Sequence, residues 1–183
     1  MRHDWLTATA KQRHRPPHDP TAGGALFVTA ATYRRVRHLA PAARKDSFVT
    51  MLTQACSVGA VELIACVVLD EHYHAVVRPE RPDSFPGWIG ALHQASASLL
   101  NSEDGTRGRR VWYQYWDTSL WTEGDLWSRI NYVHFNPVKH GYVPDPAGWA
   151  WSSYRAFLEG LEGDDAARGE CFPAPRRLPH DDF

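Results

Sequence analysis

Hydrophobic and polar positions divide the middle of the chain into strand-like and helix-like segments. Runs rich in β-branched and aromatic residues predict four strands, at positions 25–33, 60–69, 73–78 and 111–120. Segments with apolar residues at spacings of three and four predict helices at 41–58, 87–100, 123–136 and 149–159. Asp70 and Glu71 form a short polar break, so a hairpin is expected there. The pattern predicts an α+β domain in which helices pack on a mainly antiparallel sheet of four to five strands.

The two ends of the chain lack such a pattern. Residues 1–23 combine closely spaced prolines with basic side chains, which predicts an irregular basic arm. Residues 159–183 are rich in glycine, proline and charge, which predicts a loosely ordered tail. The expected domain therefore occupies residues 24–158.

The composition is that of an ordinary globular protein and leaves the function open. Of 183 residues, 43% are hydrophobic and 22% charged, which suits one domain with its own core. A formal net charge of −1 does not by itself indicate a nucleic-acid binder. Basic residues nevertheless concentrate in the first quarter and acidic residues near the end, which would permit a basic face. The eight Trp residues are expected mainly in the core, and stacking on nucleic-acid bases is the alternative.

The cysteines and the hydropathy indicate the cellular compartment in which the protein is expected. Cys56, Cys66 and Cys171 are widely spaced and form no C-x-x-C pair, which disfavours a disulfide scaffold and a cysteine zinc site. No apolar run approaches the roughly 20 residues of a membrane span. The polar N-terminal segment also lacks the apolar core of a signal peptide. We therefore expect a cytoplasmic protein with no membrane partner.

A His-x-His pair beside the third strand is the first candidate for chemistry. Alternate side chains of a strand share a face, so His72 and His74 would point the same way, about 7 Å apart along the backbone. Two imidazoles held on a rigid strand form half of a metal site. Taken alone, such a pair is more often two surface histidines or two hydrogen-bonded core histidines.

Tyr132 and Asn136 offer the other half of this candidate site. They lie four residues apart on a predicted helix and therefore share a face. If that face meets the histidines, His72, His74 and Asn136 could hold a divalent cation that polarises a phosphate. Tyr132 could then act as the nucleophile. Alternatively, Tyr132 is a core aromatic and Asn136 caps the helix before Pro137, where we expect the helix to break.

Two blocks of the sequence resemble a known family. Residues 67–74, VVLDEHYH, resemble the HUH motif, in which a bulky hydrophobic residue separates two histidines. Residues 131–143, NYVHFNPVKHGYV, resemble the Tyr-Ile-x-x-Asn-Pro-Val-Lys-His-Gly block of the REP-associated tyrosine transposases, which are single-tyrosine HUH transposases. Segments 27–29, 111–114 and 149–154 fit the family pattern in the same order. The resemblance extends from about Gly24 to Phe157.

This resemblance implies a fold, a reaction and a cofactor. The fold would be a ferredoxin-like HUH domain. The enzyme would be a transposase, an endonuclease and strand transferase of single-stranded DNA, in which catalytic Tyr132 forms a 5′-phosphotyrosine link and leaves a free 3′-hydroxyl. Catalytic His72 and His74 would bind Mg²⁺ or Mn²⁺ together with Asn136. The family's substrates are palindromes that fold into hairpins, so we expect single-stranded or hairpin DNA as the partner of a monomer or homodimer.

Basic residues next to the two motifs are the expected DNA-binding side chains. These are Arg34, Arg35, Arg37, Lys139 and His140. A solvated surface is the alternative interpretation of this set. Relatives usually carry proline where this chain has Asp70, so Asp70 or Glu71 could add a carboxylate to the metal or face water. Two other functions stay open. The protein could be a non-catalytic relative that binds DNA or RNA hairpins, or it could be a metallohydrolase that uses bound water.

Overall fold

The architecture is a β-α-β-β-α-β unit followed by two further helices, as seen in a computed structural model that describes residues 24–160. The strands are β1 (Ala25–Thr32), β2 (Val61–Val68), β3 (His72–Pro79) and β4 (Trp112–Leu120). The helices are α1 (Ala42–Val58), α2 (Phe85–Glu103), α3 (Glu123–Lys139) and α4 (Tyr154–Gly160). The predicted arm and most of the predicted tail lie outside the described residues. None of the described helices is both long and apolar enough to cross a membrane.

The four strands form one antiparallel sheet in the order β2-β3-β1-β4. This order follows from two helical crossovers, β1-α1-β2 and β3-α2-β4, around the β2-β3 hairpin. It is the topology of a ferredoxin-like domain, so the predicted α+β fold is confirmed, with four strands. In the central pair, Thr29 lies opposite His74 and Ala31 lies opposite His72.

Each face of the sheet has its own hydrophobic core. Helices α1 and α2 cover one face, where Val28 and Tyr73 are buried. Helix α3 and the segment after it cover the other, where Phe27 and Val76 pack with Ile130. Because side chains alternate along a strand, His72 and His74 share the face of Val76 and point toward α3.

The segment before α4 adds a short strand-like strap to the exposed edge of β2. Ser152 pairs with Val67, the Val68 N–H donates to Trp151 O at 2.8 Å, and the Ser153 N–H donates to Cys66 O at 2.9 Å. Covering an edge strand in this way removes a template for unwanted pairing. The strap also explains why the helix predicted over 149–159 begins only at Tyr154.

The start of helix α3 agrees with the sequence prediction, whereas its end does not. Thr122 caps the N-terminus as predicted, in a capping box with Asp125. The predicted break before Pro137 is wrong, because α3 continues to Lys139. Pro137 lies in the last turn, where its ring removes one backbone bond, and the turn is closed by the His140 N–H donating to Asn136 O at 3.0 Å. Lys139 therefore stays on the same helix as Tyr132.

The turn after β1 is unusual in its backbone. Arg34 and Arg35 both have positive φ, at 59° and 52°. Side chains with a Cβ pay about 1–2 kcal/mol each for this conformation. The turn is held by Thr32, whose hydroxyl donates to Val36 O at 2.7 Å and whose N–H donates to Glu71 O at 2.7 Å.

Candidate active site

The two histidines of β3 form one wall of a buried site. The rings of His72 and His74 lie 5.0 Å apart between centroids, and both side chains are almost fully buried. Their shared orientation follows from the strand period and from the pairing of β3 with β1. The prediction that they point the same way is therefore confirmed.

His74 is fixed from two sides. Its Nδ1 forms a hydrogen bond of 2.9 Å with Thr29 Oγ1, and the Phe27 ring stacks on it at 5.5 Å. Burial lowers the pKa of His74 well below its ordinary value, and the charges of His72 and His140 add to this effect. A neutral imidazole whose Nδ1–H donates to Thr29 presents the lone pair of Nε2, which is the form that binds metals.

His72 is oriented by a carboxylate. Glu71 Oε1 accepts a hydrogen bond of 3.2 Å from His72 Nδ1, and Arg35 lies 3.6 Å from the same oxygen. The hydrogen bond from His72 is the main reason that the pKa of Glu71 lies below its ordinary value. Because Nδ1 is engaged, Nε2 is the nitrogen of His72 that can accept a ligand. Glu71 thus contacts His72 itself.

Asp70 is engaged elsewhere. Lys45 Nζ lies 2.7 Å from Asp70 Oδ1, and the Arg37 guanidinium binds the other oxygen. Burial raises the pKa of Asp70, but the hydrogen bonds from Lys45 and Arg37 outweigh it and hold the pKa below its ordinary value. The carboxylate therefore ties the β2-β3 turn to α1.

Tyr132 of α3 forms the opposite wall. Its ring lies edge-on to His74 at 5.3 Å and to Phe27 at 5.9 Å, and only 2% of the residue is exposed. Lys139 Nζ donates a hydrogen bond of 3.0 Å to the Tyr132 hydroxyl and lies 4.8 Å from the ring centroid. The exposed Lys139 side chain therefore covers the phenol on its solvent side.

Asn136 lies one helical turn beyond Tyr132 and is fully buried. One further turn along, the ring of His140 lies 5.0 Å from that of His72. Asn136 thus occupies the middle of the helix face whose ends contact His74 and His72. Within the described residues, neither its side-chain oxygen nor its nitrogen has a hydrogen bond. A buried amide without partners costs about 1–3 kcal/mol, so a ligand is expected there.

The donor set fits a divalent cation that is completed by oxygen atoms. Among residues 24–160, no three His, Cys, Asp or Glu side chains are grouped to hold a metal ion. His72 and His74 could supply two nitrogens and Asn136 one amide oxygen, so the remaining positions would fall to water or a substrate phosphate. Oxygen-rich coordination of this kind suits a hard cation such as Mg²⁺ or Mn²⁺.

The five residues predicted to bind DNA differ in whether they contact the candidate active site. Arg35 reaches the site through Glu71, Lys139 contacts Tyr132, and His140 contacts His72. Arg37 is paired with Asp70, and exposed Arg34 lies over the Tyr33 ring at 5.3 Å. Thr29 could not be recognised from the sequence as the partner of His74, because their contact depends on the strand register.

A ferredoxin-like sheet with a His-x-His strand facing a tyrosine-bearing helix is the arrangement that the resemblance to the HUH motif implies. No protein-family model matches the chain. A Haemophilus influenzae protein, whose name assigns it provisionally to the REP-associated tyrosine transposases, is 27% identical over 146 residues, which is 74% of this chain and 82% of that protein. The REP-associated tyrosine transposase of Escherichia coli K12 is 29% identical over 110 residues, which is 59% of this chain and 58% of that protein.

A solved structure extends the similarity to the fold. The REP-associated tyrosine transposase bound to a REP hairpin superposes with a TM-score of 0.65 and 23% identity, covering 84% of this chain and 89% of that one. These similarities confirm the resemblance found in the two sequence blocks. The chain is therefore similar in sequence and in fold to REP-associated tyrosine transposases.

Proposed function

We propose that this chain cleaves and rejoins single-stranded DNA next to a hairpin, with Tyr132 as the nucleophile. One observation carries the proposal. The buried phenol of Tyr132 lies against His74, and the adjacent Asn136 amide has no hydrogen bond within the described residues. It costs free energy to bury a phenol, two imidazoles and an unsatisfied amide together unless a polar ligand binds among them.

In the proposed reaction, the Tyr132 oxygen attacks a backbone phosphorus and the bond to the 3′-oxygen breaks. The Tyr132 phenol gives its proton to solvent, the 3′-oxygen leaves and takes up a proton from solvent, and the 5′-phosphate stays bound to Tyr132. Because this ester keeps the energy of the broken bond, a 3′-hydroxyl can attack it later and rejoin the strand without a nucleotide cofactor. Free tyrosine has a pKa near 10 and is a weak nucleophile. The hydrogen bond from Lys139 stabilises negative charge on the phenol oxygen as its proton leaves.

His72, His74 and Asn136 would hold the Mg²⁺ or Mn²⁺ ion. A bound cation would withdraw charge from the phosphate oxygen and favour the transition state. Thr29 and Glu71 act on the other ring nitrogens and fix the orientation of the two histidines. Arg35, Lys139 and His140 place positive charge beside the site, where a DNA backbone would pass.

The solved relative supports a proposal for the substrate class. The solved relative is bound to a REP hairpin, and we propose a hairpin-forming palindrome with unpaired flanks for this chain. Monomeric or dimeric assembly and a cytoplasmic location stay predictions. A non-catalytic hairpin-binding relative is the second candidate, because the buried Tyr132 is covered by Lys139.

The test uses labelled hairpins with randomised single-stranded flanks, incubated with the full chain and Mn²⁺. The downstream strand carries the label at its 3′ end, so a covalent protein–DNA adduct appears on a denaturing gel. We expect the adduct with wild-type protein, and we expect Tyr132→Phe to abolish it while hairpin binding persists. Tyr154→Phe, which alters a tyrosine on α4, is the matched control and should retain the adduct.

Other outcomes discriminate between the alternatives. An adduct that survives in Tyr132→Phe would show that another residue is the nucleophile. Cleavage with two free DNA ends would indicate attack by water. Binding without cleavage in Mn²⁺ and Mg²⁺ would favour the non-catalytic relative.

A further inference from the structure

A cluster of two tyrosines and two arginines lies outside the candidate active site. The rings of Tyr33 and Tyr113 are partly buried, and their centroids lie 6.4 Å apart with planes tilted by 33°. The Arg110 guanidinium lies 4.9 Å from the Tyr33 ring centroid and 5.2 Å from that of Tyr113. Arg34 lies over the Tyr33 ring at 5.3 Å. We call these four residues the aromatic platform.

The platform is held rigidly by the backbone. The Tyr33 N–H donates to Val111 O at 2.7 Å, which joins the turn after β1 to the start of β4. Arg110 Nε donates to Trp112 O at 3.1 Å, which fixes the guanidinium beside the rings. The turn also keeps Arg34 in a left-handed conformation. Such strain persists where surrounding structure enforces it, and it concentrates at binding sites.

The platform adjoins the candidate active site. Ala31 lies opposite His72, and Thr32 pairs with Trp112, so both features lie at the same end of the sheet. The Thr32 N–H donates to Glu71 O, and the Glu71 side chain contacts His72. A single DNA strand that leaves the candidate active site at this end of the sheet would therefore meet the platform within a few nucleotides.

The charge of the platform is available for a ligand. Arg34 and Arg110 are exposed, and within residues 24–160 neither forms an ion pair with a carboxylate. Arg44 and Arg109, by contrast, are bound to Asp104. Exposed guanidinium groups stacked on aromatic rings are the combination that holds single-stranded nucleic acid, with rings for the bases and charge for the phosphates.

We propose that the aromatic platform binds an unpaired nucleobase of the single-stranded DNA flank that runs to the candidate active site. The base stacks on the tyrosine and guanidinium surface, while Arg34 and Arg110 contact backbone phosphates. Stacking tolerates any base, so the platform holds the flank in place and leaves sequence choice to other contacts. This inference rests on the proposed function, because it requires single-stranded DNA as the substrate.

The test measures binding of the full chain to a fluorescein-labelled hairpin with unpaired flanks, by fluorescence anisotropy without divalent cations. A second set of hairpins carries one abasic site at each flank position in turn. Loss of one stacked base should weaken wild-type binding roughly tenfold at one position. Tyr113→Leu, which keeps apolar volume but removes the ring, should weaken binding by a similar factor and become insensitive to that abasic site. Tyr113→Phe should behave like the wild type.

The charge of the platform is tested by salt dependence. Loss of one phosphate contact in Arg110→Ala should lower the slope of log Kd against log salt concentration by about one. Arg78→Ala removes the same charge from the opposite end of the sheet and should leave the slope unchanged. Trp121→Ala removes an aromatic ring exposed by 66%, also at that far end, and should leave the abasic-site profile unchanged. Thermal unfolding of each variant checks that the fold is retained.

Two results would overturn the inference. If folded Tyr113→Leu and Arg110→Ala bind every probe like the wild type, the platform does not contact the flank, and the proposed function stands without it. If the wild-type chain binds none of the flanked hairpins, the proposed function and the platform both fail.

Discussion

At the scale of single residues, the candidate site depends on partners that fix each imidazole. Thr29 engages Nδ1 of His74, and Glu71 engages Nδ1 of His72. In both rings this leaves Nε2 on the side available to a ligand. Hydrogen-bond partners of this kind set the tautomer and orientation of metal-binding histidines.

Replacing Thr29 with valine keeps its shape but removes the hydroxyl that bonds to His74. We expect affinity for Mn²⁺ to fall about 10- to 100-fold, because the tautomer and orientation of His74 are no longer fixed. Isothermal titration of the full chain with Mn²⁺ measures this affinity. Thr29→Ser retains the hydroxyl and should bind Mn²⁺ nearly as well as the wild type. Equal affinity in Thr29→Val would exclude Thr29 from the site.

The residue pairings show where sequence reasoning reaches its limit. His72 and His74 could be predicted to share a face because the strand period is local. The contact between Lys139 and Tyr132 could not be predicted, because the expected break at Pro137 removed Lys139 from the helix. Once α3 continues through Pro137, residues 132 and 139 are seven apart and lie on the same face. Lys139, predicted as a DNA-binding residue, therefore bonds to the proposed nucleophile.

At the scale of elements, a buried ion pair ties α1 to the β2-β3 turn that carries the histidines. Lys45 and Asp70 are both almost fully buried, and Arg37 supports the same carboxylate. The sequence suggested that Asp70 could reach a metal, whereas the structure engages it with these two cations. Since the turn positions His72, this pair links the stability of the fold to the geometry of the site.

Asp70→Asn should destabilise the protein strongly, because the charge of Lys45 stays buried without its carboxylate. Removing one partner of a buried pair costs about 3–5 kcal/mol, to be read from urea unfolding. Glu62→Gln breaks the exposed pair with Arg78 and should cost at most about 1 kcal/mol. Equal effects of the two substitutions would show that the Lys45–Asp70 pair adds no more than a surface contact.

The elements themselves were predictable to the extent that their signals are local. Strand alternation and the helical stripes located the four strands and the three long helices, and Thr122 marked the start of α3. The strap at residues 151–153 was not predictable, because its pairing with Cys66 and Val68 joins distant parts of the chain. A short apolar segment with aromatic residues suits either a helix or a strand until its partner is known.

At the scale of the whole molecule, the sheet separates the candidate active site from a partly buried histidine, His93. His93 lies on the opposite face, where its Nε2 bonds to the Tyr73 hydroxyl at 2.9 Å and its ring stacks on Trp112 at 4.8 Å. Burial lowers the pKa of His93 to about 4. The folded protein thus holds His93 neutral at a pH where the unfolded chain would protonate it.

This difference predicts acid sensitivity of the fold. Because the folded pKa of His93 lies below its unfolded value near 6.5, its contribution to stability is complete above pH 6.5 and is lost as the pH falls toward 4. The loss approaches about 1.4 kcal/mol per pH unit within that window. Urea unfolding of wild type and His93→Gln between pH 4.5 and 7 measures it, and the variant should have the shallower slope. Parallel slopes would contradict the assignment.

The central claim is that Tyr132 becomes covalently joined to DNA, and peptide mass spectrometry of the trapped adduct tests it most directly. After nuclease and trypsin digestion, Tyr132 lies in the peptide of residues 130–139, where it is the only tyrosine. We expect a nucleotide phosphate on this peptide, localised to Tyr132 by fragmentation. A nucleotide on another tyrosine, or cleaved DNA without any modified peptide, would contradict the account.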